Sequence, residues 1–326
     1  MMHRVVVTGL GVISPIGSTL GAFRQGLWEG HCGIGPITTI PTERLTVPVA
    51  AEVKGYQAGD YFDPKKVGLL DRVAQLGVVA AREALASAGG PLSEEQALKT
   101  ATIIGTGVGG LHTLDDSFWK LYGTNASRLH PFTIPRLMVN GATSAITMDL
   151  GLMGPAFAVA SACASANHAV AQAFQMVRTG LVERALTGGA EACITVGTLK
   201  GWEALRVMTS DTCRPFSRNR SGMVLGEGAA MVVLETLDSA RARGVPIWGE
   251  LVGAGMSSDA KDLTSPDLGG ATRAIRGALA DAGLSPEQVD YINAHGTGTA
   301  INDQTETAAL HQVFGEHARR LAVSST

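Results

Sequence analysis

Cysteine is scarce in this 326-residue chain: there are four, Cys32, Cys163, Cys193 and Cys213, and no pair stands in CxxC spacing. Neither a zinc site nor a disulfide framework is therefore expected, and no metal is assigned. The reduced cytoplasm is the default compartment for such a chain. Charge is also thin. Charged residues make up 17% against 45% hydrophobic, which excludes a disordered class and leaves ample material for a large core. The net charge of −3 excludes the basic footprint of a nucleic-acid binder. No run approaches the roughly 18 uninterrupted apolar residues of a membrane span. The opening "MMHRVVVTGLGV" reads as a strand and not as a signal peptide. Glycine, by contrast, is plentiful: 41 residues, which suits an enzyme built from short strand–loop–helix joins.

The pattern along the chain alternates strand and helix. "RVVVTG" (Arg4–Gly9) is a buried strand by its β-branched run. Asp71 is placed to cap a helix that runs to about Ala88, with Gly89 as its stop. "ATIIGTG" (Ala101–Gly107) and "FAVASA" (Phe157–Ala162) are further strands. After Cys163, apolar residues at Ala166, Ala169, Val170, Ala173, Phe174, Val177 and Leu181 keep helical spacing, and Gly180 ends the element. "RALTGGAE" and "GEGAAMVVLE" follow as strands.

From about Trp248 the pattern restarts: "ELVGAG" as a strand, a helix over Ala271–Ala282, "VDYINAHG" as a strand, a helix over Asp303–Phe314, and "LAVSST" as a last strand. "REALASAG" (Arg82–Gly89) returns as "RGALADAG" (Arg276–Gly283), and "FAVASA" is echoed by "LAVSST". An internal duplication of a βαβαβ unit accounts for both, with an insertion of about fifty residues in the first strand-to-helix gap. The expected division is residues 1–245, carrying Cys163 and cap insertions, and residues 246–326, a second half cut short before its last helix and strands. A buried-looking strand makes a poor chain end, so the expectation is that this chain is a piece of a longer protein.

"VASACASANHAV" runs a strand into a helix with Cys163 at the join. A helix N-terminus supplies unpaired N–H groups and a positive dipole end, the setting of a thiolate nucleophile. The small neighbours Ala162, Ala164, Ser165 and Ala166 leave room for a bulky thioester. A buried structural cysteine fits the same letters, and chemistry alone leaves both readings standing. Cys32, Cys193 and Cys213 lack this context and read as structural. The partner is "NAHGTGTAINDQTE": His295 closes a strand at the end where open α/β sheets place ligands, and Gly-Thr-Gly-Thr follows it. Asp303 and Glu306 fall one turn apart on the next helix, where first-turn acidic charge is favourable in any case.

"ACASANHA", "NAHGTGT" and "VSST" together resemble the β-ketoacyl-acyl-carrier-protein synthases of the type II elongating kind, condensing enzymes of the thiolase superfamily. The resemblance runs through "RVVVTGLGVISPIG", "IGTGVGG", "TGGAE", "RPFSRNRSGMVLGEGA" and "GAGMSSDA" and so covers the whole chain. It implies an α/β fold of two duplicated halves in a five-layer αβαβα sandwich, the second half incomplete here. It also implies that Cys163 takes an acyl group from its carrier. A malonyl-carrier thioester then loses CO2 and attacks that acyl group, lengthening the chain by two carbons in fatty-acid or polyketide-type biosynthesis.

The same resemblance makes His295 one of two histidines that stabilise the enolate, and Glu306, with Asp303 beside it, an organiser of the site. Thr297 and Thr299, and with them Thr264, match contacts to the phosphopantetheine arm. Val108 and Trp202 match acyl-pocket positions. No resident cofactor is implied, because the arm arrives on the carrier. Lys65, Lys66, Arg128 and Arg206 are candidates for docking the acidic carrier, although Gly68 and Leu69 stand where the family often has further basic residues.

In the family a lysine and the second histidine follow directly after "SST", and a Gly-Phe-Gly loop comes later. None lies within these residues, so the expectation is an active full-length protein and a segment inactive or unfolded by itself. The family's dimer joins two nucleophile-bearing strands edge to edge, which "FAVASA", free of charge, would suit. A homodimer is expected, or a heterodimer with a related synthase. The alternative of another class is a non-catalytic, chain-length-factor-like partner subunit, against which Cys163 argues. A coenzyme A thiolase is disfavoured by the "NAHGTGT" loop.

Overall fold

The computed structural model describes residues 2–326. Its strands are β1 (Val5–Ile13), β2 (Gly35–Pro36), β3 (Val49–Ala50), β4 (Thr100–Gly105), β5 (Ala156–Val159), β6 (Arg184–Ala192), β7 (Glu227–Thr236), β8 (Gly249–Leu251), β9 (Tyr291–Asn293) and β10 (Ala322–Ser324). Packing divides the chain into two units. One holds residues 1–45, 50–199 and 225–251, and the other residues 46–49, 200–224 and 252–326.

In the first unit six strands form one sheet in the order β5-β4-β6-β7-β1-β8. β5, β4 and β6 run parallel, whereas β7, β1 and β8 alternate antiparallel. Parallel strands covered on both faces carry continuous runs of small and apolar residues. β4 does so, and all six of its residues are buried. β5 lies at the end of the strand order, with Phe157 40% exposed. The helix Arg72–Ser87 begins where the Asp71 carboxylate accepts the Val73 amide at 3.1 Å. It buries its apolar face with Ile13, Ile104, Ile146, Leu186 and Met231 in the main core.

That helix can reach β1 because β1 carries two glycines. A Cβ on Gly9 would stand 2.1 Å from the Ala84 carbonyl oxygen, and one on Gly11 2.1 Å from that of Ala80. The second unit repeats the device. Its helix Leu268–Ala282, capped by Asp267, packs so that a Cβ on Gly253 would lie 2.7 Å from the Ala278 oxygen, and one on Gly255 2.1 Å from that of Ala274. The helix residues Ala80 and Ala84 are offset by 194 from Ala274 and Ala278, as "REALASAG" is from "RGALADAG". The glycine pairs are offset by 244, which locates the insertion of about fifty residues between strand and helix. The duplication is therefore present in the packing as well as in the letters.

The strand expected over Glu250–Gly255 is shorter and earlier. β8 ends at Leu251 and pairs with β1 in the first unit (Val5↔Leu251, Val7↔Gly249), held also by Arg4–Glu250 at 2.6 Å. In the second unit β9 and β10 pair in parallel, Ile292 opposite Val323, and the helix Ala300–Phe314 packs on Leu268–Ala282. Thr46–Val49 joins this unit because Glu203 Oε1 accepts the amides of Thr46 and Val47 at 2.6 and 2.8 Å. Among the described residues no helix is long and apolar enough to cross a membrane.

Candidate active site

In the first unit the chain leaves β5 at Val159 and turns sharply before the helix Ser165–Arg178. Ala162 takes φ +51, a left-handed conformation unusual for a residue with a side chain. Hydrogen bonds close the turn. The Ser161 amide donates to Ser165 Oγ at 2.8 Å, Ser165 Oγ donates to the Ala162 carbonyl at 2.7 Å, and Ser161 Oγ meets His168 Nδ1 at 2.7 Å. Glycines again seat the helix. A Cβ on Gly105 would come within 2.4 Å of the Ala166 nitrogen, and one on Gly189 within 2.7 Å of the Ala166 Cβ. The helix head is thus pressed onto the ends of β4 and β6, and Cys163 stands exposed just before it.

The four thiols divide by burial. Cys193, one residue past β6, is buried, and desolvation with the nearby Glu191 pushes its thiol up to about 12. Burial also raises Cys213, whose Sγ donates to the Thr297 carbonyl at 3.3 Å. Cys32, read from the sequence as structural, is exposed like Cys163.

In the second unit His295 follows β9 by two residues and begins a loop with two left-handed glycines, Gly296 (φ +46) and Gly298 (φ +74). Side chains from the helix Ala300–Phe314 hold that loop. Glu306 accepts the His295 amide on Oε1 at 2.7 Å and the Gly296 amide on Oε2 at 2.9 Å. Asp303, 2% exposed, accepts the Phe216 amide at 2.7 Å on one oxygen and the Gly298 amide at 3.2 Å on the other. Arg220 stands 3.6 Å from the same carboxylate. Thr297 and Thr299 join their hydroxyls at 2.9 Å, and Ser325 Oγ donates to the carbonyls of His295 and Gly296. Both acids do more than complement a helix dipole, since each is spent on two loop amides.

The remaining candidates lie on other segments of the chain. Thr264 lies in an exposed turn, its amide and hydroxyl both on Asp262, and its hydrogen bonds do not reach the threonine pair. Trp202 is partly buried on the helix Val196–Ala204. Val108 is 45% exposed in the loop after β4. Lys65 and Lys66 are exposed on the short helix Pro64–Val67, as are Arg128 and Arg206 in loops.

Sequence reasoning read Cys213 as structural and passed over Glu191, Phe216, Ser325 and the Ser161–His168 pair. Glu191 and Phe216 lay inside quoted strings, but no letter there shows which amide a carboxylate will meet. Phe216 has φ +60 and so turns its amide to Asp303.

The mixed sheet, the repeated glycine-seated helix and the strand-to-helix elbow define a thiolase-like α/β protein. Residues 2–240 match the family model "Beta-ketoacyl synthase, N-terminal domain", and residues 248–326 match "Beta-ketoacyl synthase, C-terminal domain". The chain belongs to the β-ketoacyl synthase family, a family of condensing transferases. It is 44% identical over 326 residues to nodulation protein E of Rhizobium sp., covering 100% of this chain and 81% of the relative. It is 43% identical over 331 residues to 3-oxoacyl-[acyl-carrier-protein] synthase 2 of Synechocystis sp., covering 99% of this chain and 80% of that one. The solved structure of the ishigamide ketosynthase/chain length factor superposes with a TM-score of 0.92 at 36% identity, covering 97% of this chain and 78% of that one.

Proposed function

We propose that this protein carries out a decarboxylative Claisen condensation between an acyl thioester on Cys163 and malonyl-acyl carrier protein. The Cys163 thiolate attacks the acyl carbonyl, and the carrier's phosphopantetheine leaves as a thiolate that takes up a proton from solvent. In the second step the C–C bond to the malonyl carboxylate breaks and CO2 departs. The electron pair left behind forms a bond to the acyl carbon, and the Cys163 thiolate is expelled. The product remains on the incoming carrier, two carbons longer.

His295 donates to the enolate oxygen as charge develops there, a role that needs a donor already fixed in place. Glu306 and Asp303 supply that fixity through the loop amides. Thr297 and Thr299, with Thr264, hold the phosphopantetheine arm, while Val108 and Trp202 border the acyl chain. Lys65, Lys66, Arg128 and Arg206 meet the acidic carrier. The protein needs no resident cofactor and works in the cytoplasm as a dimer, with a second copy or with a related synthase. The exposed edge of β5 is the surface for that pairing.

The observation that carries the reading is Cys163 itself: an exposed thiol on a hydrogen-bonded elbow at a helix head, unlike buried Cys193. A non-catalytic partner role is the second reading, favoured by the chain length factor in the ishigamide pair. Incubation with acyl-carrier protein, followed by intact mass and peptide mapping, separates the two. Acyl transfer to Cys163, with a longer β-ketoacyl product once malonyl carrier is added, supports the synthase. A Cys163 that never acylates supports the partner.

A further inference from the structure

The end of β6 carries a partly buried carboxylate that the proposed chemistry does not use. Glu191 Oε2 accepts the Gly107 amide at 2.6 Å, and Oε1 accepts Thr106 Oγ1 at 3.2 Å. Thr106 Oγ1 in turn accepts the Gly109 amide at 3.1 Å, and the Val108 amide also favours the charged carboxylate. Glu191 thus engages Thr106, Gly107 and Val108 directly and Gly109 through Thr106.

The loop has fixed neighbours on both sides. The Thr106 amide donates to the Val159 carbonyl at 3.1 Å, where β5 hands over to the Cys163 elbow. A Cβ on Gly107 would lie 3.7 Å from the Ala162 carbonyl oxygen, so the loop stands against the residue before Cys163. On the far side, a Cβ on Gly109 would lie 2.9 Å from the Val139 Cα, and one on Gly110 2.1 Å from the Arg136 oxygen. Val108, between these anchors, is left 45% exposed. Glu191 meets amides and a hydroxyl here, and burial pushes its carboxyl above the usual carboxylate range. A partly buried carboxyl whose oxygens meet only loop amides and a hydroxyl points to positioning.

We propose that Glu191 is a positioning residue of the acyl site: through Gly107, Thr106 and Gly109 it sets where Val108 stands beside the Cys163 elbow, and so which lengths of linear acyl thioester are accepted. The proposal rests on the reading of Cys163 as the acylated thiol and adds the determinant of its chain-length range.

The test measures rates of Cys163 acylation by carrier thioesters of rising chain length, with iodoacetamide as a probe that carries no acyl chain. Wild type is compared with Glu191→Ala, Glu191→Gln and Thr106→Val. Glu191→Ala should change the long-to-short rate ratio by about tenfold, the scale of a methylene or two misplaced in an apolar pocket. Its iodoacetamide rate should stay within about threefold of wild type, since the thiol itself is untouched. Glu191→Gln keeps an oxygen for the Gly107 amide and should retain the wild-type ratio. Thr106→Val should shift the ratio in the direction of Glu191→Ala, and it decides the matter by the same criterion if that variant does not fold. A folded Glu191→Ala with the wild-type ratio overturns the proposal, as does Glu191→Gln shifting as far as Glu191→Ala. A wild type that no carrier thioester acylates removes the acylation reading and this inference with it. An unchanged ratio in an acylating protein removes this inference alone.

Discussion

Glu306 grips the backbone at His295, taking that residue's amide on one oxygen at 2.7 Å and the next amide, Gly296, on the other at 2.9 Å. A histidine on a loop is ordinarily mobile on the scale that matters for donating to a developing charge. Here two charge-assisted bonds fix its backbone from a helix. Glu306→Ala should lower condensation kcat by about tenfold or more through lost positioning. Alkylation of Cys163 should be unchanged, and steady-state kinetics beside an iodoacetamide time course reads both. A fall in both together would mean that Glu306 serves the fold and not the loop.

Asp303 should matter more for stability than Glu306 does. It is 2% exposed, and its loss leaves the Phe216 and Gly298 amides without their acceptor. Asp303→Ala should cost about 2 kcal/mol or more, the penalty of stranded buried donors. Asp303→Asn keeps one acceptor and should cost less. Urea unfolding of the two variants measures the difference, and equal midpoints would contradict it.

Replacing the proposed nucleophile gives the sharpest activity change. Cys163→Ala should reduce condensation at least about 10³-fold, as removal of a covalent nucleophile does. Alkylation at neutral pH should label Cys163 fastest, Cys32 more slowly, and Cys193 not at all. Both labelled thiols are exposed, and the buried one is pushed up to about 12. Peptide mapping after short exposure resolves the order. Cys32 reacting as fast as Cys163 would contradict the nucleophile assignment.

The glycine seats should behave alike in both units. Gly11→Ala would drive a methyl to 2.1 Å from the Ala80 oxygen, and Gly255→Ala would do the same to the Ala274 oxygen. Neither backbone oxygen can swing aside, so each substitution should cost about 1–3 kcal/mol or more by overpacking. Gly21→Ala meets nothing within 4 Å and serves as the control. Thermal melts of the three variants check this.

Glu191 predicts a pH dependence. Burial raises its folded carboxyl above the unfolded value. The folded state therefore holds the proton more tightly, and the stability this brings is complete below the unfolded pKa. It is lost as pH rises through the raised folded pKa. Glu191→Gln, which cannot ionise, should gain stability relative to wild type as pH rises from acid to neutral. Paired denaturation curves across that range measure the gap, and a gap that narrows would reverse the sign.

Much of this was legible in the letters because short-range rules govern it. Asp71 caps its helix as read, since an acceptor before an apolar-periodic run has one geometry that satisfies it. The echo of "REALASAG" in "RGALADAG" points to the duplication, and Gly9-Leu10-Gly11 against Gly253-Ala254-Gly255 is a further echo of it. The strand over Glu250–Gly255 was misplaced because β8 takes its pairing from β1, hundreds of positions away, and no local pattern carries that register.

The sequence by itself determined most of the long strands and helices, the repeat and the family, since caps, periodicity and motif order are local or collinear properties of the chain. Only the tertiary structure decided that Glu306 and Asp303 each hold two loop amides, that Glu191 stands behind the loop facing the elbow, and that Cys32 is exposed while Cys193 is not. The physical reason is that a carboxylate's partners and a thiol's desolvation are set by whichever groups folding brings within about 3 Å, and those come from segments far apart along the chain.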